Sequence, residues 1–261
     1  MNKISRVTES VANGKFDQKM PNSRVPALQK LAGDINTMAA TIEEKTADNI
    51  ILTGAIHHEL RIPITRIRLA LDMAVHGNTD EMTAELLTGM DGDLEELSSL
   101  MEELLTISRL RLKGVELAKE PLAMQSIIEK VTKDINSPLV TIDNTADFTL
   151  QANQTLMERA LYNIISNATK YADNAVMISS CIESGQFVLN VGDDGMGIPE
   201  DERDLILKPF YRTDKSRNRN TGGFGLGLAI ADMVIKDTQG VIEIGDSELG
   251  GALITLRWVV P

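Results

Sequence analysis

The chain has 261 residues, of which 43% are hydrophobic and only 3% aromatic, and its formal net charge is −12. This acidic excess argues against a surface for nucleic acid or an anionic membrane, because either would need clustered lysine and arginine. The single cysteine, Cys181, rules out an internal disulfide framework and fits a reducing cytosol, and no run of about 18 apolar residues is present to span a membrane.

Residues 1–47 are predicted to form two short helical stretches around a connector that carries Gly14, Pro21 and Pro26. In the second stretch, apolar residues recur at alternating intervals of three and four, as in a coiled-coil seam: Leu28, Leu31, Ile35, Met38 and Ile42. A surface helix on a monomer is the alternative interpretation. The narrowness of the seam favours a bundle, in which a partner helix covers it.

Two longer helices are predicted next, at about residues 48–76 and 81–112, with a break at His76-Gly77-Asn78 between them. The second repeats the seam spacing with Leu87, Met90, Leu94, Leu97, Met101 and Leu104. Two such helices joined by a short turn form an antiparallel hairpin. One hairpin buries only part of its apolar stripe, so two are expected to pair as a four-helix bundle, and a homodimer follows.

After Gly114 the pattern changes to a mixture of strands and helices. Alternating apolar residues predict strands at 187–191 and 252–256, and helical patterns occur at about 154–171 and 226–237. The mixture predicts an α+β layer domain that begins near residue 114.

Two glycine clusters, at residues 193–197 and 221–228, and an asparagine pair lie in this second half. Glycines at alternate positions let backbone N–H groups turn toward one centre, and a following helix adds partial positive charge, which together suit a polyphosphate. Asn163 and Asn167 are four residues apart, hence on one helix face, where carboxamide oxygens can hold Mg²⁺. Lys170, one turn further, can reach the same phosphates. Each feature alone is also explained by a turn, a helix start or an ordinary polar face.

A third chemical feature is the pair His57-His58, followed by Glu59 and, four residues later, Pro63. A neutral imidazole is a competent nucleophile, and a neighbouring carboxylate can fix its tautomer. Pro63 removes a backbone donor and is expected to bend the helix. A partly exposed surface histidine is the alternative, and the two histidines cannot share a face because they lie about 100° apart.

These segments, in this order, resemble the sequence boxes of the bacterial two-component sensor histidine kinases. HHELRIPITRIRLALD is similar to the H-box, NIISNATKY to the N-box, DDGMGIP and GGFGLGLAI to the glycine boxes, and KPFYR to the F-box. The details near the C-terminus are similar to the RstB- and CpxA-like members. The resemblance covers essentially the whole chain.

The resemblance implies a multidomain α and α+β fold. It comprises a coiled-coil HAMP segment at residues 1–47 with its first helix truncated, and a dimeric four-helix-bundle hairpin at 48–113 for dimerisation and histidine phosphotransfer (DHp). A Bergerat-type (GHKL) α/β sandwich for ATP follows at 114–261. It also implies the cytoplasmic portion of a bacterial inner-membrane protein, attached through upstream transmembrane helices.

The resemblance further implies roles for single residues. His58 becomes the phosphate acceptor and Glu59 its proton partner. Asn167 holds Mg²⁺ with help from Asn163, and Asp194 accepts a hydrogen bond from the adenine amino group. Other residues expected at the ATP site are Lys170, Tyr171, Gly195, Gly197, Arg217, Gly223, Gly225, Leu226 and Gly227, with a mobile lid between Phe210 and Phe224. The phosphoryl group then passes to an aspartate of a response regulator, which is expected to dock around Thr65, Ile67 and Arg68.

One position departs from the family pattern. Most members of the family carry Thr, Asn or Ser four residues after the phosphohistidine, where this chain has Ile62. Isoleucine has no hydrogen-bonding group to orient a water, which predicts weak phosphatase activity toward the regulator, or a substitute such as Thr65. The alternatives to an active autokinase are a Bergerat-fold ATPase of a chaperone or DNA-repair machine, and a phosphatase-dominant or nucleotide-binding signalling scaffold.

Overall fold

The computed structural model describes residues 26–76, 80–111, 118–213 and 223–260. The chain divides into two compact units, Met1–Thr65 and Arg66–Pro261. The prediction for the helical stretch and connector before Pro26 lies outside the described residues. Among the helices that the structure describes, none is both long enough and apolar enough to cross a lipid bilayer.

The first helix, α1, spans Pro26–His76, 51 residues without interruption. The predicted helical stretch that ends at residue 47 and the predicted helix from residue 48 are therefore parts of one helix. Neither glycine nor proline occurs between Gly33 and Gly54, so nothing in that stretch stops a helix. The domain limit near residue 47 stays a prediction. The helix also continues through Pro63. The bend expected at that residue stays a prediction.

The second helix, α2, spans Asp80–Arg111 and confirms the predicted second arm of the hairpin. Its side chains divide by heptad position. Leu100 and Ile107 are buried, whereas Leu87, Leu94 and Met101 are each about half exposed, at 52%, 49% and 55%. The last three belong to the predicted seam. The seam is therefore uncovered along part of its length in the single chain.

The remaining residues form an α/β domain with two sheets. Strands β1 (Glu120–Ala123) and β3 (Thr149–Ala152) pair antiparallel. Strands β2 (Val140–Ile142), β4 (Val176–Glu183), β5 (Gln186–Asp193), β6 (Val241–Asp246) and β7 (Ala252–Val259) form a sheet in the order β2-β4-β5-β7-β6. All its neighbours are antiparallel except β2 and β4.

Three helices pack with these strands: α3 (Met124–Ile135), α4 (Gln154–Tyr171) and α5 (Gly227–Asp237). Helix α4 contacts α3, α5 and β5. Its N-cap is Asn153, whose side-chain oxygen accepts the Leu156 N–H at 3.1 Å. The predicted helices at 154–171 and 226–237 and the strands at 187–191 and 252–256 are confirmed.

The core lies between the helices and the sheet. Met157, Leu161 and Ile164 of α4 are fully buried, and Phe187 of β5 stacks on Phe148 with ring centroids 4.5 Å apart. Because these apolar side chains occupy one side of α4, its polar side chains are left to face elsewhere. That other face of α4 carries the candidate site.

Candidate functional site

A cavity of about 360 Å³ opens within the α/β domain, between α4, the ends of β5 and β7, and the glycine segment that precedes α5. This size is in the range of small-molecule sites. Eight of the residues expected at the ATP site line it: Asn163, Asn167, Lys170, Tyr171, Gly197, Gly223, Gly225 and Gly227. Segments far apart in sequence are thus brought to one cavity.

The polar face of α4 forms one wall. Asn163 donates from Nδ2 to the carbonyl oxygen of Gly227 at 3.1 Å, which ties the helix to the start of α5. Asn167 lies on the same wall, and no described residue forms a hydrogen bond with its carboxamide. Lys170 Nζ lies 3.9 Å from the position that a Cβ on Gly223 would take, so this amine is close to the glycine segment. The wall presents amide and ammonium groups suited to phosphate oxygens and a hydrated cation.

Asp193 lies at the cavity and is buried. Its Oδ1 accepts the N–H groups of Gly195 and Ala252 at 2.9 and 3.0 Å. No hydrogen bond from a described residue reaches Oδ2. One carboxylate oxygen is therefore fixed by the backbone, and the other remains able to accept a hydrogen bond from a ligand.

Asp194 occupies a different position. Its carboxylate accepts the backbone N–H groups of Asp173, Asn174 and Ala175 at 2.9 to 3.0 Å, and so caps the turn after α4. The bond from Asn174 and the bonds from Ala175 and Asp173 hold the pKa of Asp194 below its ordinary value. Asp194 is also absent from the cavity wall. The structure therefore corrects the assignment of the adenine contact to Asp194, because its carboxylate is already used by the backbone.

The sequence contained a signal that identifies Asp193. In β5, Val191 and Asp193 are two residues apart and both line the cavity. Side chains alternate along a strand, so the residue that shares the face of Val191 is Asp193 and not Asp194. Asp193 is the last residue of β5 and follows the alternation of the strand, whereas Asp194 is the first residue of the turn that follows.

The glycines differ in what they do. A Cβ on Gly195 would lie 2.1 Å from the carbonyl oxygen of Tyr171, so only glycine lets β5 and the end of α4 approach so closely. Gly225 has φ of +73°, and a Cβ there would lie 2.6 Å from the carbonyl oxygen of Tyr211. Gly195 therefore shapes the site without lining it.

Two further expectations stay predictions. Leu226 is fully buried just before α5 and is not on the cavity wall, because its apolar side chain packs in the core. Its expected contact with ATP stays a prediction. Arg217 and most of the predicted lid lie outside the described residues. Other wall residues were not anticipated, among them Met196, Ile206 and, from α2, Glu103.

The histidine pair lies on α1 in the first unit. His58 Nδ1 and Glu59 Oε1 are 3.3 Å apart, and the His58 side chain is 69% exposed. When Nδ1 carries the proton and donates to Glu59, the lone pair is on Nε2. Ile62 is half-buried, and the Thr65 hydroxyl donates to the Arg61 carbonyl at 2.7 Å.

Two family descriptions match the chain. "Histidine kinase-, DNA gyrase B-, and HSP90-like ATPase" matches residues 152–261, and "His Kinase A (phospho-acceptor) domain" matches residues 50–113. The first is shared with ATPases of other machines. The second is not, and it argues against the chaperone or DNA-repair alternative.

Among curated relatives, the sensor protein RstB of Escherichia coli (strain K12) is 32% identical over 265 residues, covering 99% of this chain and 60% of RstB. The sensor histidine kinase CpxA of the same organism is 28% identical over 262 residues, covering 97% of this chain and 56% of CpxA. The chain thus spans less than two thirds of the length of either relative.

Among solved structures, the histidine kinase AdeS of Acinetobacter baumannii aligns with a TM-score of 0.60 and 26% identity, covering 78% of this chain and 98% of AdeS. Full-length ShkA, in complex with AMPPNP, aligns with a TM-score of 0.57 and 23% identity over 78% of this chain and 44% of ShkA, which supports the fold alone. With the helical hairpin, the mixed-sheet ATPase domain and both family matches, the chain belongs to the bacterial two-component sensor histidine kinases.

Proposed function

We propose that the chain transfers the γ-phosphoryl group of ATP to His58 and then to an aspartate of a response regulator. The observation that carries this proposal is the cavity that gathers Asp193, Asn167 and Lys170, in a chain whose other unit exposes a histidine beside a carboxylate. The predicted domain limits at residues 47 and 113 are part of the proposal.

The adenine end of the nucleotide binds at Asp193. Its unused Oδ2 accepts the hydrogen bond of the adenine amino group, while Gly195 and Ala252 hold Oδ1 in place. Tyr171 and Met196 also line the cavity and give it apolar and aromatic surface for a base. A base with a carbonyl in place of the amino group would face the carboxylate with an acceptor, which gives selectivity for adenine.

The phosphates lie along the polar face of α4. Asn167, whose carboxamide has no hydrogen-bond partner among the described residues, is the candidate Mg²⁺ ligand, with Asn163 beside it. When bound, Mg²⁺ neutralises charge on the phosphate oxygens. Lys170 adds a positive charge, and Gly223, Gly225 and Gly227 permit the backbone to come close. Arg217 stays a candidate for the terminal phosphate.

The chemical step uses the two nitrogens of His58 differently. With its Nδ1 proton held by Glu59, Nε2 attacks the γ-phosphorus in line, the Nε2–P bond forms and the bond to the bridging oxygen breaks. ADP leaves with that electron pair, and Glu59 takes up the Nδ1 proton as the ring becomes cationic. Positioning and neutralisation of charge carry most of the catalysis.

Two copies of the chain form the proposed functional unit. The partly exposed stripe of α2, which includes Leu87, Leu94 and Met101, supports a four-helix bundle with a second copy. We also propose that the chain is the cytoplasmic portion of a longer inner-membrane sensor. The resemblance of residues 1–47 to a HAMP segment supports this location.

Ile62 has no hydrogen-bonding group, and we therefore propose that the chain dephosphorylates its regulator only weakly. Thr65 is a poor substitute, since its hydroxyl proton is given to the Arg61 carbonyl. We expect the purified chain to remove phosphate from its regulator slowly, and Ile62→Thr to accelerate the removal in a phosphate-release assay. Rapid removal by the unaltered chain that Thr65→Ala does not slow would overturn this part of the proposal.

The kinase proposal is tested by incubating the 261-residue chain with γ-labelled ATP and Mg²⁺. Acid-labile, base-stable label is expected on the protein. The variant His58→Ala should lose it, and the matched control His57→Ala should keep it. Label that survives His58→Ala would exclude this acceptor.

A further inference from the structure

One carboxyl group on the cavity wall comes from α2 and not from the α/β domain. Glu103 lines the cavity beside residues of α4 and α5. Its Oε2 is buried and has no hydrogen-bond partner among the residues that the structure describes. Burial raises the pKa of Glu103, and the nearby charge of Arg159 acts in the opposite direction to lower it. A partly buried carboxyl with one unsatisfied oxygen, on the wall of a proposed anion site, is electrostatically costly and calls for an explanation.

The same part of α2 is attached to the α/β domain. Arg159 of α4 donates from Nη1 to the Thr106 hydroxyl oxygen at 2.9 Å, and that hydroxyl donates to the Glu102 carbonyl at 2.8 Å. Thr106 and Ile107 are 7% and 2% exposed, and α2 contacts α5. One shared polar contact and a buried apolar residue therefore hold this part of α2 in place.

The residue that attaches α2 and the residues proposed to bind the phosphates lie on one face of α4. Arg159, Asn163, Asn167 and Lys170 follow each other at intervals of four, four and three residues. Arg159 takes part in the α2 contact, and the other three line the cavity. A polyphosphate along this face brings several negative charges into the cavity whose wall already includes Glu103. Like charges in a partly desolvated site repel each other.

We propose that Glu103 couples the nucleotide to the α2 contact, such that phosphates in the cavity weaken the attachment of α2 to α4 and α5. Coupling between two equilibria is reciprocal, so the attached helix also weakens nucleotide binding. This inference rests on the proposed function, since it requires a nucleotide in the cavity. Its consequence is that a loaded ATP domain is released from α2 more readily than an empty one.

The first test measures the dissociation constants of ADP and of adenosine, in EDTA, for the 261-residue chain. Glu103→Gln keeps the shape and removes the charge, so ADP should bind at least about fivefold more tightly, the lower end of site-to-site coupling. Adenosine, which has no phosphates, should bind with unchanged affinity. The matched control is Glu102→Gln, an exposed neighbour on α2, which should change neither constant.

The outcomes separate the explanations. If Glu103→Gln leaves ADP binding unchanged, the carboxyl is not a repulsive charge and the inference fails. If it weakens binding only when Mg²⁺ is added, Glu103 serves the cation, which also overturns the inference. If the unaltered chain binds neither ADP nor ATP, the proposed function fails instead.

A second variant tests the coupling without touching the charge. Thr106→Val removes the acceptor of the Arg159 bond and should loosen α2, so ADP should again bind more tightly. Amide hydrogen exchange of residues 103–111 should accelerate on addition of ADP to the unaltered chain, and less so in Glu103→Gln. Unchanged ADP affinity in Thr106→Val, together with exchange that ADP does not alter, would overturn the coupling.

Discussion

Two adjacent aspartates show how far one residue position changes a role. Asp193 ends strand β5 and faces the cavity, whereas Asp194 faces the turn after α4 and accepts three of its backbone N–H groups. Both carry the same chemistry. The alternation of side chains along the strand alone decides which one meets a ligand and which one holds the backbone.

Asp193→Asn should weaken ATP binding. Gly195 and Ala252 both donate to Oδ1, so the amide keeps its oxygen there and turns its nitrogen toward the ligand. A donor then faces the adenine amino group. An unmatched buried polar group costs about 1–3 kcal/mol, roughly a 5- to 150-fold loss of affinity. Isothermal titration with ATP measures it, and Asp194→Asn is the matched control, which should bind ATP with nearly unchanged affinity. Equal losses in the two variants would contradict the assignment.

Asp194→Asn should instead lower stability in a pH-dependent manner. The pKa of Asp194 is depressed in the folded chain, so its contribution is present above the ordinary carboxyl pKa and is lost as pH falls through the lowered value. The melting temperature of Asp194→Asn should therefore lie below that of the unaltered chain at pH 7. The two should converge as the solution is acidified below about pH 4. A difference that stays constant or grows on acidification would show that the charge is not the cause.

At the scale of elements, the hairpin is held by a polar contact just after Pro63. Arg66 of α1 lies 3.1 Å from Asp93 Oδ1 and 2.8 Å from Glu96 Oε2, both on α2. Asp93 is only 8% exposed, and a carboxylate this deeply buried is rarely found without a partner. One arginine thus satisfies a buried acid and links the two helices.

Arg66→Met should destabilise the hairpin by about 1–2 kcal/mol, because it leaves the Asp93 carboxylate buried without its cation. The urea midpoint of the helical circular-dichroism signal would fall accordingly. Arg68→Met, an exposed arginine one position beyond Ile67, is the matched control and should shift the midpoint little. If Arg66→Met unfolds at the same urea concentration as the unaltered chain, the contact contributes nothing to stability.

At the scale of the whole molecule, the main unsatisfied feature is the stripe of α2 that one copy leaves open. Leu94 and Met101 are 49% and 55% exposed, although a coiled-coil spacing places them in a seam. The cost of exposing such side chains is removed when a second copy covers them.

Leu94→Glu should therefore weaken self-association by at least about 100-fold, because a charge would enter the seam without a partner. Light scattering coupled to size exclusion gives the mass at each concentration. Val241→Glu is the control, since Val241 is 54% exposed on the edge strand β6, away from the helices that form the seam. A Leu94→Glu variant that remains a dimer at low concentration would place the interface elsewhere.

The sequence by itself determined the elements and the family. Periodic apolar residues predicted α2 and α4, because such short-range patterns depend only on local helix geometry. The five boxes, in their order along the chain, predicted a histidine kinase. The spacing of Asn163, Asn167 and Lys170 also predicted that their side chains lie close together, since they share a helix face. The assignment of the adenine contact failed at the end of β5, where the alternation of side chains distinguishes Asp193 from Asp194.

Only the tertiary structure decided which residues from distant segments meet. Glu103 lies 60 residues from Asn163 in sequence, and no spacing rule relates a seam helix to the wall of a nucleotide cavity. No sequence pattern indicates three further features: the burial of Leu226, the backbone hydrogen bonds to the Asp194 carboxylate, and the hydrogen bond between Arg159 and Thr106. Such contacts depend on how packed elements approach each other, which is set by the whole core and not by any one segment.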